Sequence, residues 1–346
     1  MAHAIVAAWH QRVCQTSHTY ASLRSCRDQL DAQCPWADIG AALQQLLDTS
    51  AAPLRPLSTL GTAVVLARYG TRLVAVKQHV LTRGAWEVEW PMLRESRLLQ
   101  ELAVFSWSPQ LAFVSVTPDL FQLGLEYLPW SMDQLLALGH EPPHVVLHPL
   151  LTAVQALHQH GVAHRDLKPD NIRFRATGEL VLIDYDASTW LTAPNGRQSS
   201  LYGTPAYRDP YLSDPQCDRT QYDDRWMDAF AIGAIGLFVC TGGTHVFARP
   251  TAQRCVDAMR AYVIDDACPP IPLPERELLR GLLVPSTPSR RSTLTQALEA
   301  YHPRSARSLS LSLSLSLSLW SKDSHILPWV ISSRSKRLEL RTKRST

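Results

Sequence analysis

The stretch His164-Arg165-Asp166-Leu167-Lys168-Pro169-Asp170-Asn171 puts a carboxylate, an ammonium and a carboxamide within six residues, Asp166 to Asn171. It follows a run with apolar residues at helical spacing (Leu151, Val154, Leu157), which Gly161 is placed to end as a left-handed cap. His158 and His160 fall in the last turn of that helix and read as C-terminal helix residues rather than ligands. A short strand-like segment comes after. A base for a hydroxyl proton, a cation for a terminal phosphate and an oxygen donor for a divalent metal are what phosphoryl transfer to a hydroxyl requires.

Other segments fall into order around this one. Thr62 to Ala67 is rich in β-formers, Arg68 to Arg72 has turn chemistry, and Leu73-Val74-Ala75-Val76-Lys77 is a second strand. This predicts a hairpin ending in Lys77, 89 residues before Asp166. Pro91 suits the first turn of a helix running to about Leu102, with Leu98, Leu99 and Leu102 inward. Glu95 lies in that helix, 18 residues after Lys77; Glu87 and Glu89 are the alternatives to it. Val181-Leu182-Ile183 reads as a buried strand, with Asp184 after it. Asp228 opens a helix that is apolar through Cys240, too short to cross a bilayer and suited to a core. Leu278 to Leu283 and Leu294 to Leu298 read as the last helices.

Together these segments resemble the eukaryotic-type protein kinases, of serine/threonine type, over roughly residues 56–302. The resemblance implies an α+β, bilobal fold: a small β-rich N-lobe with one main helix (56–127) and a larger, mostly helical C-lobe (128–302). It implies ATP-dependent phosphorylation of serine or threonine hydroxyls on protein substrates, with ATP and Mg2+ as cofactors and Mn2+ as an alternative. Asp166 is then the catalytic base and Lys168 the γ-phosphate cation. A carboxylate is too weak to strip an alcohol beforehand, so Asp166 orients the nucleophile and takes the proton late. Asn171 and Asp184 would hold metal. Lys77 would bind the α- and β-phosphates, with Glu95 as its partner. Ser58, Leu60, Gly61, Val65 and Ala75 would line the nucleotide. Leu125 is the gatekeeper, and the backbone of Glu126 and Leu128 would meet adenine.

Gly203-Thr204-Pro205-Ala206-Tyr207 resembles the family's substrate-docking loop, with Thr204 bonded to Asp166 and Lys168. Ser200 or Ser199 is the expected phosphorylation site, with Arg165 as the cation it would meet.

The chain departs from the family at four places. The pattern GxGxxGxV falls on Ser58 to Val65 with glycine at none of its three positions; only Gly61 remains nearby. The metal triplet is Asp184-Tyr185-Asp186, with Tyr for Phe and Asp for Gly. Arg173 stands where an apolar residue packs under the base, either stacked on adenine or turned outward. Asp209-Pro210-Tyr211 replaces Ala-Pro-Glu, so that Asp209 takes over the pair with Arg291. The glycine loop and Asp186 support a second reading, a pseudokinase scaffold with weak or no phosphotransfer. A third, a small-molecule kinase, is opposed by Lys168 and the Gly-Thr-Pro-Ala-Tyr loop.

The ends of the chain differ from its middle. The net charge of +3 over 346 residues divides unevenly. From Pro303 onward nine Lys/Arg face two Asp/Glu; the first 302 residues hold 25 against 29. That tail carries six Ser-Leu repeats from Ser308 to Leu319 and reads as low-complexity and disordered. Its basic clusters, Arg334 to Arg337 and Arg341 to Arg344, are candidates for contact with nucleic acid or import machinery. Residues 1–55 read as an extension with helical spacing from Ile39 to Leu47. Seven cysteines without a CxxC pair predict free thiols and no zinc ribbon. No signal peptide or spanning segment is evident, so an intracellular monomer, cytoplasmic or nuclear, is expected.

Overall fold

The computed structural model describes residues 54–60, 63–80, 86–116, 120–137, 143–191, 202–215, 217–219, 221–262, 264, 271–285 and 288–301. The expectations for residues 1–53, for Gly61, Ser199 and Ser200, and for the tail lie outside the described residues, as do the side chains of Glu87 and Glu89.

The N-terminal part is a five-stranded antiparallel sheet: β1 (Leu54–Thr59), β2 (Val64–Tyr69), β3 (Arg72–Val80), β4 (Leu111–Val116) and β5 (Leu120–Glu126), in the order β1-β2-β3-β5-β4. The expected hairpin is β2–β3, turned at Gly70 with φ 58°, a conformation glycine adopts without strain. Strand β1 was not expected. Pro56 weakens the strand pattern, and the pairing with β2 shifts register just after it, between Pro56 and Ser58. The sheet therefore begins two residues before the boundary read from sequence.

Alternation along β3 decides what faces where. Val74 and Val76 are buried with Ala67 and Phe113 on one face. Ala75, Lys77 and His79 lie on the other, opposite Leu125, Leu123 and Phe121. Helix α1 (Trp86–Leu102) packs there through Leu98, Leu99 and Leu102, which join Leu123 and Phe121 in the main core. The helix starts five residues earlier than expected, and Pro91 falls inside it. So near the N-terminus the missing N–H costs a single bond, to the carbonyl four residues back.

Gly124 leaves room for the Phe113 ring, which a Cβ there would overlap. We expect Gly124→Ala to destabilise the fold by about 1–3 kcal/mol, read as a lowered denaturant midpoint. An unchanged midpoint would show that the ring has space to move.

The C-terminal part is mostly helical: β6 (Trp130–Ser131), α2 (Met132–Ala137), α3 (His144–Gln159), β7 (Val162–Ala163), β8 (Ile172–Phe174), β9 (Leu180–Leu182), β10 (Thr189–Trp190), α4 (Asp224–Cys240), α5 (Ala252–Ala261), α6 (Leu273–Leu282) and α7 (Leu294–Ala300). Helix α4 is buried on all sides from Met227 to Val239, and its Gly233 and Gly236 admit Leu283 and Leu279. It begins four residues before Asp228, because Asp223 caps it by accepting from Arg225 N. Helix α7 opens on a capping box, Thr293 with Gln296. Helix α5, amphipathic and anchored by Cys255, Val256 and Met259, was not anticipated. Among the described residues no helix is long and apolar enough to cross a membrane, and Cys217, Cys240 and Cys255 are free thiols.

Candidate active site

The loop between β7 and β8 is held from below. The buried carboxylate of Asp228 accepts from His164 N and Arg165 N, both at 2.8 Å, and meets His158 Nε2 at 2.8 Å. These bonds fix Arg165 at φ 70°, a region non-glycine residues rarely occupy. Burial alone would raise the Asp228 pKa; the His158 bond and the surrounding positive groups outweigh it and hold it below the ordinary 3.8. A carboxylate depressed on folding stabilises the protein above its unfolded pKa and loses that contribution as pH falls. Between about pH 5 and about pH 3 the melting temperature of the wild type should fall more steeply than that of Asp228→Asn. Parallel curves would assign the acid loss to other groups.

Asp166 stands at the tip of this loop with four donors on its carboxylate. Oδ1 accepts from Thr204 N at 2.8 Å and Thr204 Oγ1 at 2.9 Å. Oδ2 accepts from Lys168 Nζ at 2.8 Å and Asn171 Nδ2 at 3.2 Å. Lys168 also reaches Thr204 Oγ1 at 3.0 Å. Gly203, at φ 86°, brings Thr204 this close; a Cβ there would meet Arg165 O at 2.8 Å.

A second group gathers on Lys77. Its Nζ lies 3.0 Å from Glu95, 2.6 Å from Asp184 and 3.4 Å from Asp186. Glu95 is 1% exposed; burial pushes its pKa up to about 7 against the pull of Lys77. Burial opposes the charge of Lys77, yet its three carboxylate neighbours raise its pKa well above the ordinary value. Asp184 is depressed: burial pushes it up, and Lys77 more than reverses that. His79, on the same face of β3, has its pKa lowered by burial and by Lys77.

The two groups meet through Ile183 N, which donates to Asn171 O at 3.0 Å just before Asp184. Lys77, Glu95 and Asp184 thus form one cluster, and Asp166, Lys168, Asn171 and Thr204 the other. Ser58 of β1 pairs with Leu66 of β2, Leu60 N donates to Val64 O at 2.7 Å, Val65 pairs with Val76, and Ala75 lies opposite Leu125. Glu126 ends β5 and Leu128 is buried.

Three features here were not read from sequence. Arg94 Nη2 donates to Asp186 O at 2.7 Å, and Glu95 accepts from Tyr185 N at 3.1 Å, so adjacent residues of α1 grip the Asp184-Tyr185-Asp186 triplet. Arg175 forks onto Glu126 at 2.5 and 3.1 Å, pinning the interlobe segment. His158 supports the loop through Asp228. All three join residues tens of positions apart, and no local pattern announces them.

The departures also have outcomes. The Tyr185 hydroxyl is buried beside Ser108 without hydrogen-bond geometry to it. Arg173, opposite Ser131 and Val181, lies among Asp170, Tyr127 and Asp133. Asp209 takes Arg291 in a bidentate pair at 2.5 and 2.7 Å.

A strand-borne lysine paired to a helix glutamate, facing a loop carboxylate flanked by lysine and asparagine across two lobes, defines the protein kinase fold class. The family model described as "Protein kinase domain" matches residues 61–302, and this chain belongs to that family. It is 32% identical over 180 residues to calcium-dependent protein kinase 20 of Oryza sativa subsp. japonica, covering 49% of this chain and 31% of that protein. It is 31% identical over 136 residues to a probable serine/threonine-protein kinase, HAL5-like, of Kluyveromyces lactis, covering 36% and 18%. It is 29% identical over 195 residues to serine/threonine-protein kinase GRIK2 of Arabidopsis thaliana, covering 54% and 45%. The aligned segments cover less than half of each relative.

Proposed function

We propose that the chain transfers the γ-phosphoryl group of ATP to serine or threonine hydroxyls of protein substrates. The observation that carries this reading is the bonding of Asp166 to Lys168, Asn171 and Thr204 within 3.2 Å. In this reading Asp166 orients the substrate hydroxyl and receives its proton at a carboxylate oxygen. Lys168 neutralises the γ-phosphate, and Lys77, steadied by Glu95, holds the α- and β-phosphates. The backbone of Glu126 and Leu128 meets adenine. Lys168 and Thr204 favour serine and threonine over tyrosine.

The donor set fits Mg2+. Asn171 Nδ2 is committed to Asp166 O at 2.8 Å and to Oδ2, which leaves the amide oxygen to act as a ligand. Asp184 supplies a carboxylate 32% exposed. Among the described residues no three His, Cys, Asp or Glu side chains form a metal cage. Mg2+ commonly takes one or two carboxylates and completes its shell with phosphate oxygens and water. Held by Asn171 and Asp184, it would supply charge neutralisation at the phosphates.

Use of ATP fits an intracellular location. The scaffold reading has one observation in its favour, the crowding of Lys77 by acidic groups. Incubation with radiolabelled ATP and mixed protein substrates, followed by phosphoamino-acid analysis, decides. Labelled serine and threonine are expected; phosphotyrosine alone, or no label, would overturn the proposal.

A further inference from the structure

An ammonium has three N–H donors. On Lys77 all three have carboxylate partners: Glu95, Asp184 and Asp186. The Glu95 contact is buried, with the carboxylate 1% exposed, and leaves the open side of the lysine free. The other two carboxylates, 32% and 41% exposed, stand on the side open to solvent, from which a phosphate would come.

Asp186 is the unexpected member. The position needs no positive φ here: Tyr185–Ala187 is a single 3-10 turn, and only Arg165 and Asp184 among the described non-glycine residues have positive φ. An aspartate therefore sits there without strain. Arg94 fixes its backbone carbonyl at 2.7 Å, while its carboxylate, 41% exposed, reaches Lys77.

We propose that Asp186 competes with nucleotide phosphate for Lys77, so that nucleotide binding is coupled to a divalent cation more tightly than Asp184 alone would make it. This rests on the nucleotide-site reading above. A polyphosphate without metal must displace Asp186 from Lys77 and lie beside its negative charge. With a divalent cation present, that charge is screened and the lysine is released at smaller cost. A nucleoside, lacking phosphates, is indifferent to Asp186.

The test is a calorimetric comparison of adenosine and ATP binding, with EDTA and with Mg2+, for wild type, Asp186→Asn and Asp186→Gly. Asparagine keeps the size and removes the charge; glycine removes both. Both variants should bind metal-free ATP about tenfold more tightly than wild type, the effect of one unit charge about 3 Å away when water screens it, as it does a carboxylate 41% exposed. With Mg2+ the gain should shrink to about twofold or less, and adenosine affinity should not change. Unchanged metal-free ATP affinity in both variants would overturn the proposal, as would an equal gain for adenosine, which would mark a structural effect. Adenosine binding with no effect on ATP leaves the nucleotide site standing and removes only the role of Asp186. Failure of adenosine and ATP to bind under any condition would remove the site itself, and the proposal with it.

Discussion

Asp166→Ala is expected to lower the turnover number roughly 10²–10⁴-fold, the range for loss of a positioned general base. Mg-ATP affinity should stay within about threefold of wild type, since an interaction made mainly in the transition state affects kcat rather than binding. The reason lies in the bonding of the carboxylate. Thr204 and Lys168 each contact it, and in the proposed reading both flank the position of the substrate hydroxyl. Neither touches Lys77, which sits in a separate cluster with Glu95 and Asp184. Steady-state kinetics with a peptide substrate, beside calorimetry with Mg-ATP, checks both halves. A parallel loss of ATP affinity would show that Asp166 holds the nucleotide or the fold.

Arg291→Ala should be the most damaging single change to stability away from the cleft. The pair it makes with Asp209 has both side chains fully buried, at 0% exposure. Arg291 also donates to Trp226 O at 3.0 Å and Val284 O at 2.7 Å, and its guanidinium lies 5.0 Å from the Phe230 ring centre. Removing it leaves Asp209 charged and buried, with Tyr222 Oη at 2.5 Å and Tyr211 N at 2.9 Å as remaining donors. Breaking a buried pair from one side costs about 3–5 kcal/mol. For a domain of this size that is a fall in Tm of roughly 10 °C, measurable by scanning calorimetry. Arg291→Lys should recover only part of the loss, because a point charge cannot make the two-pronged bond. A shift under about 3 °C for the alanine variant would mean that water reaches Asp209.

Much of this architecture was legible because it depends on short-range pattern. Two-residue alternation in Leu73 to Lys77 sets Lys77 on the face opposite Val74 and Val76 before any partner is known. The spacing from Lys77 to Glu95 then matches the end of one strand, one connection and just over half of a helix. The exchange of acid between positions 211 and 209 could be read because Arg291 needs a buried carboxylate nearby.

What escaped was set by tertiary contact. Strand β1 carries Pro56 and two arginine-flanked positions, a poor strand signal, and pairs because β2 presents an edge. Helix α4 starts early because Asp223 can cap it, while the apolar signal begins only at Met227. The approach of Asp186 to Lys77 joins residues 109 apart and depends on Arg94 holding the intervening turn.

The most direct measurement is a crystal structure with Mg2+ and a non-hydrolysable ATP analogue. The account predicts triphosphate oxygens on Lys77, the metal shared by Asp184 and Asn171, and the γ-phosphate facing Asp166 and Lys168. An analogue bound elsewhere, or a cleft in which Lys77 stays with Asp184 and Asp186 and no metal meets Asp184, would contradict it.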